Sequence, residues 1–351
     1  MLGESPWSVE NISDNPARYV ALMVHYLESQ GMDCRGALQA AGIDRARLDH
    51  SQALLSGAQI TSAVRQLALA SQRTDLGFII GGLIGPGLFG DLGRALLSCA
   101  TLRDAIEISA RYFALVTPRF SMRTREVGDR LKICWQPVQP VPYDLMSAAF
   151  EIILVSFHRQ IERLVPGGLP PYDIHLSMSA PPHAERYREL KPARCHFGQG
   201  GLPALRIEIE AQVLNIPMPL VNAADLAEAE QRLQPRLHIQ PKQESWVAWV
   251  RMMLNEALDC QPTQEALAGL VNLSTSTLAR HLLSEGCHFR DLANESRHER
   301  ACHWLGEDGV TVSEIARRLG YTSVANFSRA FRARSGVSPR AFALGQRRAR
   351  T

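Results

Sequence analysis

The stretch from Thr311 to Pro339 limits what this chain can fold into more than any other part of it. Val312, Ile315, Ala316 and Leu319 recur at helical spacing, which predicts a short helix over 312–319 with one apolar face. Gly320 follows, and glycine most readily takes the left-handed conformation that ends a helix. Ser323 is placed to cap a second helix reaching about Arg334, with Val324, Phe327, Ala330 and Phe331 on its inner face. Two helices across a tight glycine turn, the second rich in arginine, follow the plan of a helix-turn-helix over 311–334 and imply contact with DNA.

The formal net charge of +3 says little until it is located. Residues 1–242 hold 24 Lys and Arg against 24 Asp and Glu, and residues 243–351 hold 14 Arg against 11 acids. No acid follows Glu314, whereas Arg317, Arg318, Arg329, Arg332, Arg334, Arg340, Arg347, Arg348 and Arg350 all do. A one-sign run beside a helix-turn-helix is the electrostatic footprint of a polyanion partner. Arg317, Arg318, Arg332 and Arg334 are therefore candidate phosphate contacts. The last four residues of that run, 347–350, read as a frayed tail.

A second helix-turn-helix is expected over 263–285. Thr263 can cap a helix with Glu265 in its first turn and Leu267, Ala268 and Leu270 as apolar contacts. Val271, Asn272 and Leu273 make the turn. Ser274, a further candidate phosphate contact, caps a helix over 275–285 with Leu278, Leu282 and Leu283 inward and Arg280 outward, and Gly286 ends it. Between the two units, the proline-free stretch Phe289 to Gly306 predicts one helix. About 17 residues at ~1.5 Å each span roughly 25 Å, a rod that can hold two reading heads near the ~34 Å repeat of a DNA turn. Phe327, Phe331, Phe342 and Trp304 fall on the predicted buried faces and read as core, not as base-stacking platforms.

The pattern Arg297-His298-Glu299-Arg300-Ala301, Leu305, Thr311-Val312-Ser313-Glu314-Ile315-Ala316, Leu319-Gly320-Tyr321, Ser323, Asn326-Phe327-Ser328-Arg329-Ala330-Phe331 and Gly336-Val337-Ser338-Pro339 resembles the AraC/XylS family of bacterial transcription regulators. The resemblance covers roughly residues 243–345. It implies an all-α DNA-binding domain of two helix-turn-helix subdomains joined by a long helix, bound to double-stranded promoter DNA and acting with RNA polymerase. Carried over residue by residue, it makes Ser276, Thr277, Ala279 and Arg280 the readers on the first recognition helix. On the second it makes them Val324, Ala325, Asn326, Ser328 and Arg329. Arginine can pair with O6 and N7 of guanine and asparagine with N6 and N7 of adenine, while an arginine that only clamps phosphate positions without specifying. Ala279, Val324 and Ala325 are shorter than such readers and suit at most a thymine methyl.

The first 240 residues read as a different object, helical first and stranded later. Helices are predicted over 19–29, 34–41, 58–70, 101–115 and 146–164, the fourth with Thr101 and Asp104 in capping-box positions. Segments 119–127 and 130–137 alternate around Gly128-Asp129, a hairpin signal. Segments 172–178, 194–197 and 204–209 are further strands, so helices beside a small antiparallel sheet give an α+β domain over 1–222. Residues 223–242 read as a linker to the domain at 243–345, in which a polar helix (Asp225, Glu228, Glu230, Gln231, Arg232) gives way to Pro235 and Pro241 among polar side chains. The glycine-dense stretch Gly77 to Gly93 lacks the Lys-Ser/Thr ending of a phosphate loop and the spacing of a dinucleotide motif, and reads as close helix packing. With Thr101-Leu102-Arg103-Asp104-Ala105 and Arg111-Tyr112-Phe113 it resembles the arabinose-binding-like domain of a branch that includes ornithine-utilisation-type regulators. That resemblance implies a small-molecule sensor and dimerisation module, without naming the effector or its contacts.

Gly-x-Ser-x-Gly, His-Glu-x-x-His and Cys-x-x-Cys motifs do not occur, and the seven cysteines are scattered, as suits reduced, mostly buried thiols. No catalytic residue, cofactor or metal is expected. Met1 to Val9 is not a signal peptide, and no run reaches the ~18 apolar residues of a membrane span. The expectation is a cytoplasmic homodimer, nucleoid-associated when on DNA, that activates transcription under a small-molecule effector. The alternative is an amino-terminal domain that is only an oligomerisation and protein-interaction scaffold, without ligand.

Overall fold

The computed structural model describes residues 15–50, 53–165, 169–237, 243–306 and 310–350. They form two compact units, the first running up to Phe197 and from Ala204 to Glu244, the second comprising Gly198–Pro203 and the chain from Ser245 onward.

The first unit pairs a short bridge, β1 (Asn15–Pro16) with β2 (Leu54–Leu55), and sets helices beside a five-stranded sheet. The helices are α1 (Arg18–Ser29), α2 (Arg35–Ala40), α3 (Arg45–Leu48), α4 (Gly57–Ser71), α5 (Leu76–Leu83), α6 (Asp91–Ser98), α7 (Leu102–Val116), α8 (Tyr143–Leu164) and α9 (Ala223–Leu237). Side-chain caps fix several starts. Ser56 and Gln59 close a capping box on α4, and Thr101 and Asp104 close another on α7, each satisfying two backbone donors that a helix leaves unpaired. The strands are β3 (Phe120–Val127), β4 (Arg130–Pro137), β5 (Asp173–Leu176), β6 (Arg194–His196) and β7 (Leu205–Glu210), in the order β3-β4-β7-β5-β6. The hairpin β3–β4 turns at Gly128, φ +64°, with Val127 opposite Arg130.

The sheet is mixed rather than wholly antiparallel, because β5 and β6 run parallel. The chain between them crosses back through a 3-10 turn over Ala184–Leu190. That turn is pinned to α8 by a buried carboxylate: Glu151 accepts from the Tyr187 hydroxyl at 2.8 Å and lies 2.6 Å from His183 Nε2. Burial pushes the Glu151 carboxyl above the usual range, against the pull of His183 and Tyr187.

The glycine-dense stretch is α5, a 3-10 turn and α6, and its glycines do bring backbones together. A Cβ on Gly77 would lie 2.6 Å from the Ala148 carbonyl oxygen on α8, and one on Gly81 would lie 2.8 Å from the Val155 Cβ. Gly82 faces open space on the same helix. Gly81→Val is therefore expected to destabilise by about 1–3 kcal/mol through overpacking. Gly82→Ala should stabilise by roughly 0.5–1 kcal/mol, since only the unfolded chain feels it. Urea midpoints of the two variants check this, and equal shifts would contradict the close contact.

The polar helix expected at the start of the 223–242 stretch is present, but it packs into a core instead of leading free into a linker. Residues 223–237 are helix α9, whose Ala229 and Leu233 are buried in a core with Leu92, Ala95 and Tyr112. Pro235 is accommodated in its last turn, and 238–242 lie outside the described residues. No helix among the described residues is long and apolar enough to cross a membrane.

The second unit is all-α: α10 (Trp246–Asn255), α11 (Gln264–Leu270), α12 (Thr275–Ser284), α13 (Phe289–Leu305), α14 (Val312–Arg318), α15 (Val324–Ser335) and α16 (Pro339–Arg350). Gly201 and Leu258 exchange backbone hydrogen bonds of 2.7 and 2.9 Å, which joins the segment Gly198–Pro203 to this unit and not to the sheet. Two separate cores form, one around Trp249, Met253, Leu267, Leu278 and Leu282, the other around Ile315, Leu319, Phe327 and Phe331. Helix α13 serves both, giving Leu292 and Ala293 to the first and Ala301 and Leu305 to the second. Near its middle the buried Arg300 donates to the carbonyls of Leu254 (3.4 Å) and Cys260 (3.2 Å) and stacks on Trp304. The residues expected to fray, 347–350, continue α16. Two of the seven thiols, Cys34 and Cys99, are buried and the other five only partly so, fewer than expected.

Candidate nucleic-acid interface and ligand cavity

All four helix-turn-helix helices start on a side-chain cap. Thr263 accepts from Ala266 N, Ser274 from Thr277 N, Thr311 from Glu314 N and Ser323 from Asn326 N, each worth about 1 kcal/mol of helix stability. The turns close on left-handed residues, Asn272 at φ +55° and Gly320 at φ +75°. The spacing of caps and turns thus sets α12 and α15 as corresponding second helices of the two subdomains.

On α12, Ser276, Ala279 and Arg280 are exposed and Thr277 is half-buried. The Ser274 hydroxyl is engaged as the cap and lies 2.9 Å from Ser276 Oγ and 2.8 Å from Thr277 Oγ1. On α15, Val324, Ala325, Asn326 and Arg329 are exposed and Ser328 is half-buried. Arg329 Nη2 donates to Asn326 Oδ1 at 2.5 Å, while Asn326 Nδ2 donates to Thr322 Oγ1 at 3.0 Å. Asparagine and arginine are thereby held side by side across one helical turn.

Three apolar residues expected inside are outside: Leu283 and Val324 are 57% and 40% exposed, and Ala330 is exposed as well. The inner face of α15 is carried by Phe327 and Phe331 alone, which stack on Tyr321, His298 and Phe342. Phe342 and Trp304 pack against the same core.

The candidate phosphate contacts divide by what already holds them. Arg317, Arg332 and Arg334 are exposed and make no ion pair among the described residues. Arg318 is half-buried over Trp304 and donates to Glu314 Oε1 at 2.6 Å, so its charge is countered within the protein.

The first unit holds a partly open, mostly apolar cavity of about 210 Å³ that sequence reasoning did not find. Met23 of α1, Val64 of α4, Phe113 of α7, Ile152 and Phe157 of α8, Met122 of β3 and Trp135 of β4 are in its wall. These residues obey the same periodicities as any core position, so nothing in their spacing marks the space between them. Arg119 is the single charged residue in the wall among the described residues. Its Nη1 donates to the Pro140 carbonyl at 2.7 Å and its Nη2 to Glu244 Oε1 at 2.6 Å. Burial lowers its pKa from the ordinary arginine value. Gly57 leaves the space that this guanidinium occupies, since a Cβ there would collide with Arg119 Nη2. No cluster of three His, Cys, Asp or Glu able to hold a metal ion occurs among the described residues.

Residues 31–218 match the family model described as the arabinose-binding domain of AraC transcription regulator, and residues 267–344 match a helix-turn-helix domain model. An uncharacterised HTH-type transcriptional regulator of Mycobacterium tuberculosis is 26% identical over 329 residues, 93% of this chain and 95% of the relative. The ornithine utilization regulator of Pseudomonas aeruginosa is 26% identical over 327 residues, 92% of this chain and 94% of its own. Among solved structures, the transcriptional regulator CdpR from Pseudomonas aeruginosa aligns over 97% of this chain and 100% of its own, at 16% identity and a TM-score of 0.47.

Proposed function

Because the chain belongs to the AraC family of transcription regulators, whose amino-terminal domain model spans residues 31–218 and more than half of it, we propose that α12 and α15 read promoter DNA while the cavity takes a small-molecule effector. The DNA-binding helix-turn-helix and the role in transcription are those of the family. The readers are Ser276, Thr277, Ala279 and Arg280 on α12, and Val324, Ala325, Asn326, Ser328 and Arg329 on α15. Phosphate contact falls to Arg317, Arg332 and Arg334, with Ser274 and Arg318 secondary because their polar groups are already engaged. The protein acts as a homodimer in the cytoplasm, working with RNA polymerase as an activator. The observation that carries the DNA reading is the pair of capped helices presenting exposed polar side chains beside unpaired arginines. The cavity favours an effector over a ligand-free scaffold.

Arg280→Ala and Arg329→Ala test the base contacts. Each is expected to weaken binding by about 1–3 kcal/mol and to relax selectivity at one position of its own half of the site. Binding to specific and random duplexes is compared. Equal losses on both would make these arginines phosphate clamps. The Arg329 variant should also free Asn326 Oδ1, so the neighbouring position loosens with it.

A further inference from the structure

Resting on the reading of α15 as a recognition helix, we propose that Thr322, Asn326 and Arg329 form one locked row of hydrogen-bond donors, which selects guanine over adenine. Thr322 is the positioning residue of this row.

The orientation of the Asn326 amide decides what it can read. Arginine carries donors only, so the atom that meets Arg329 Nη2 at 2.5 Å is the amide oxygen, Oδ1. The amide nitrogen is thereby turned the other way, and Nδ2 donates to Thr322 Oγ1 at 3.0 Å. All three side chains are exposed, and Asn326 and Arg329, three residues apart, share one helix face.

An unrestrained asparagine recognises adenine by accepting from N6 while donating to N7. Here the accepting oxygen is engaged by a cation. An adenine amino group brought to it would meet the guanidinium as well, donor against donor. What the row offers a base is the second N–H of Nδ2 and the remaining N–H groups of the guanidinium. Guanine alone sets two acceptors, O6 and N7, side by side in the major groove. α15 has no Asp, Glu or Gln to accept from a base amino group in place of Oδ1.

The first recognition helix lacks this arrangement. Counted from the cap, Thr277 stands where Asn326 stands in α15, and its hydroxyl lies 2.8 Å from Ser274 Oγ. Arg280, at the place of Arg329, is exposed and has no side-chain partner among the described residues. Fixing an arginine through an oriented amide is particular to the second head.

The test starts from a pool of random-sequence duplexes enriched on the full-length protein. The position read by Asn326 is the one whose base preference changes in Asn326→Ala. Anisotropy titrations with each base at that position then compare the unaltered protein with Thr322→Val, Thr322→Ser and Arg329→Ala. The unaltered protein is expected to prefer guanine over adenine there by about tenfold. Thr322→Val should reduce that preference to about twofold, since the amide loses one of its two anchors. Thr322→Ser, which keeps the hydroxyl, should retain it. Arg329→Ala frees Oδ1, and adenine should become the preferred base. Affinity for unselected duplex reports that each variant is folded, and Thr322→Ala replaces Thr322→Val if the latter loses it. Adenine preferred by the unaltered protein, or guanine still preferred in Arg329→Ala, overturns the donor row. A serine variant as unselective as the valine one, or a valine variant as selective as the unaltered protein, overturns the role of Thr322. A pool without an enriched site, or an Asn326→Ala variant with unchanged preferences throughout, instead removes α15 as a reading helix, and the proposal falls with that reading.

Discussion

Between 50 and 200 mM salt, the affinity of the intact protein for its promoter is expected to fall about a thousandfold. Each phosphate neutralised contributes about −0.9 to the slope of log K against log salt. Arg317, Arg332 and Arg334 are exposed and unpaired among the described residues, three in each copy. Two copies then give a slope near −5, whereas a single bound copy gives about −2.7 and only a roughly fortyfold loss. Replacing any one of the three by alanine should flatten the dimer's slope by about 1.8, one contact in each copy. Arg318→Ala should leave it nearly unchanged, because that guanidinium is already paired with Glu314. Filter binding or anisotropy across a salt series reads all of these. An unchanged affinity over the series, or an Arg318 variant as flat as the other three, would sink the assignment of phosphate contacts.

The helix-turn-helix half was legible because its signals are local. Thr263, Ser274, Thr311 and Ser323 each cap the helix that begins at the next residue, and α13 covers the stretch read as one helix. Capping, glycine turns and helical period need no knowledge of distant residues. The hairpin at Gly128 was readable for the same reason. What escaped depends on partners far along the chain. Helix α9 is a polar sequence with a proline, and only its packing against α6, through Ala229 and Leu233, makes it part of a core. The parallel pairing of β5 with β6 follows from the path of the intervening chain, not from either strand's composition. Bridges of two residues such as β1 and β2 carry no periodicity at all. Val324 and Leu283 misled in the other direction, since apolarity predicts burial only on average and single apolar side chains are common on protein surfaces. The cavity was invisible because periodicity reports which way a side chain faces, not whether the space it faces is filled.

Two copies joined through their amino-terminal units should bind two repeated half-sites at a fixed spacing. Within one copy, α13 is shared by both cores, so α12 and α15 belong to a single framework. Its 17 residues span about 25 Å, suited to successive major grooves on one face of the duplex. A second copy tethered to the first gains effective concentration, worth about 10²–10⁴ in affinity when geometry lets both engage. Inserting about five base pairs between the half-sites turns the second one to the opposite face and is expected to weaken binding about a hundredfold. Inserting about ten restores the face, so most of the loss should be recovered. Equal losses from the two insertions, or one copy per promoter by light scattering, would mean that each chain binds alone and that the amino-terminal unit exerts its control within a single copy.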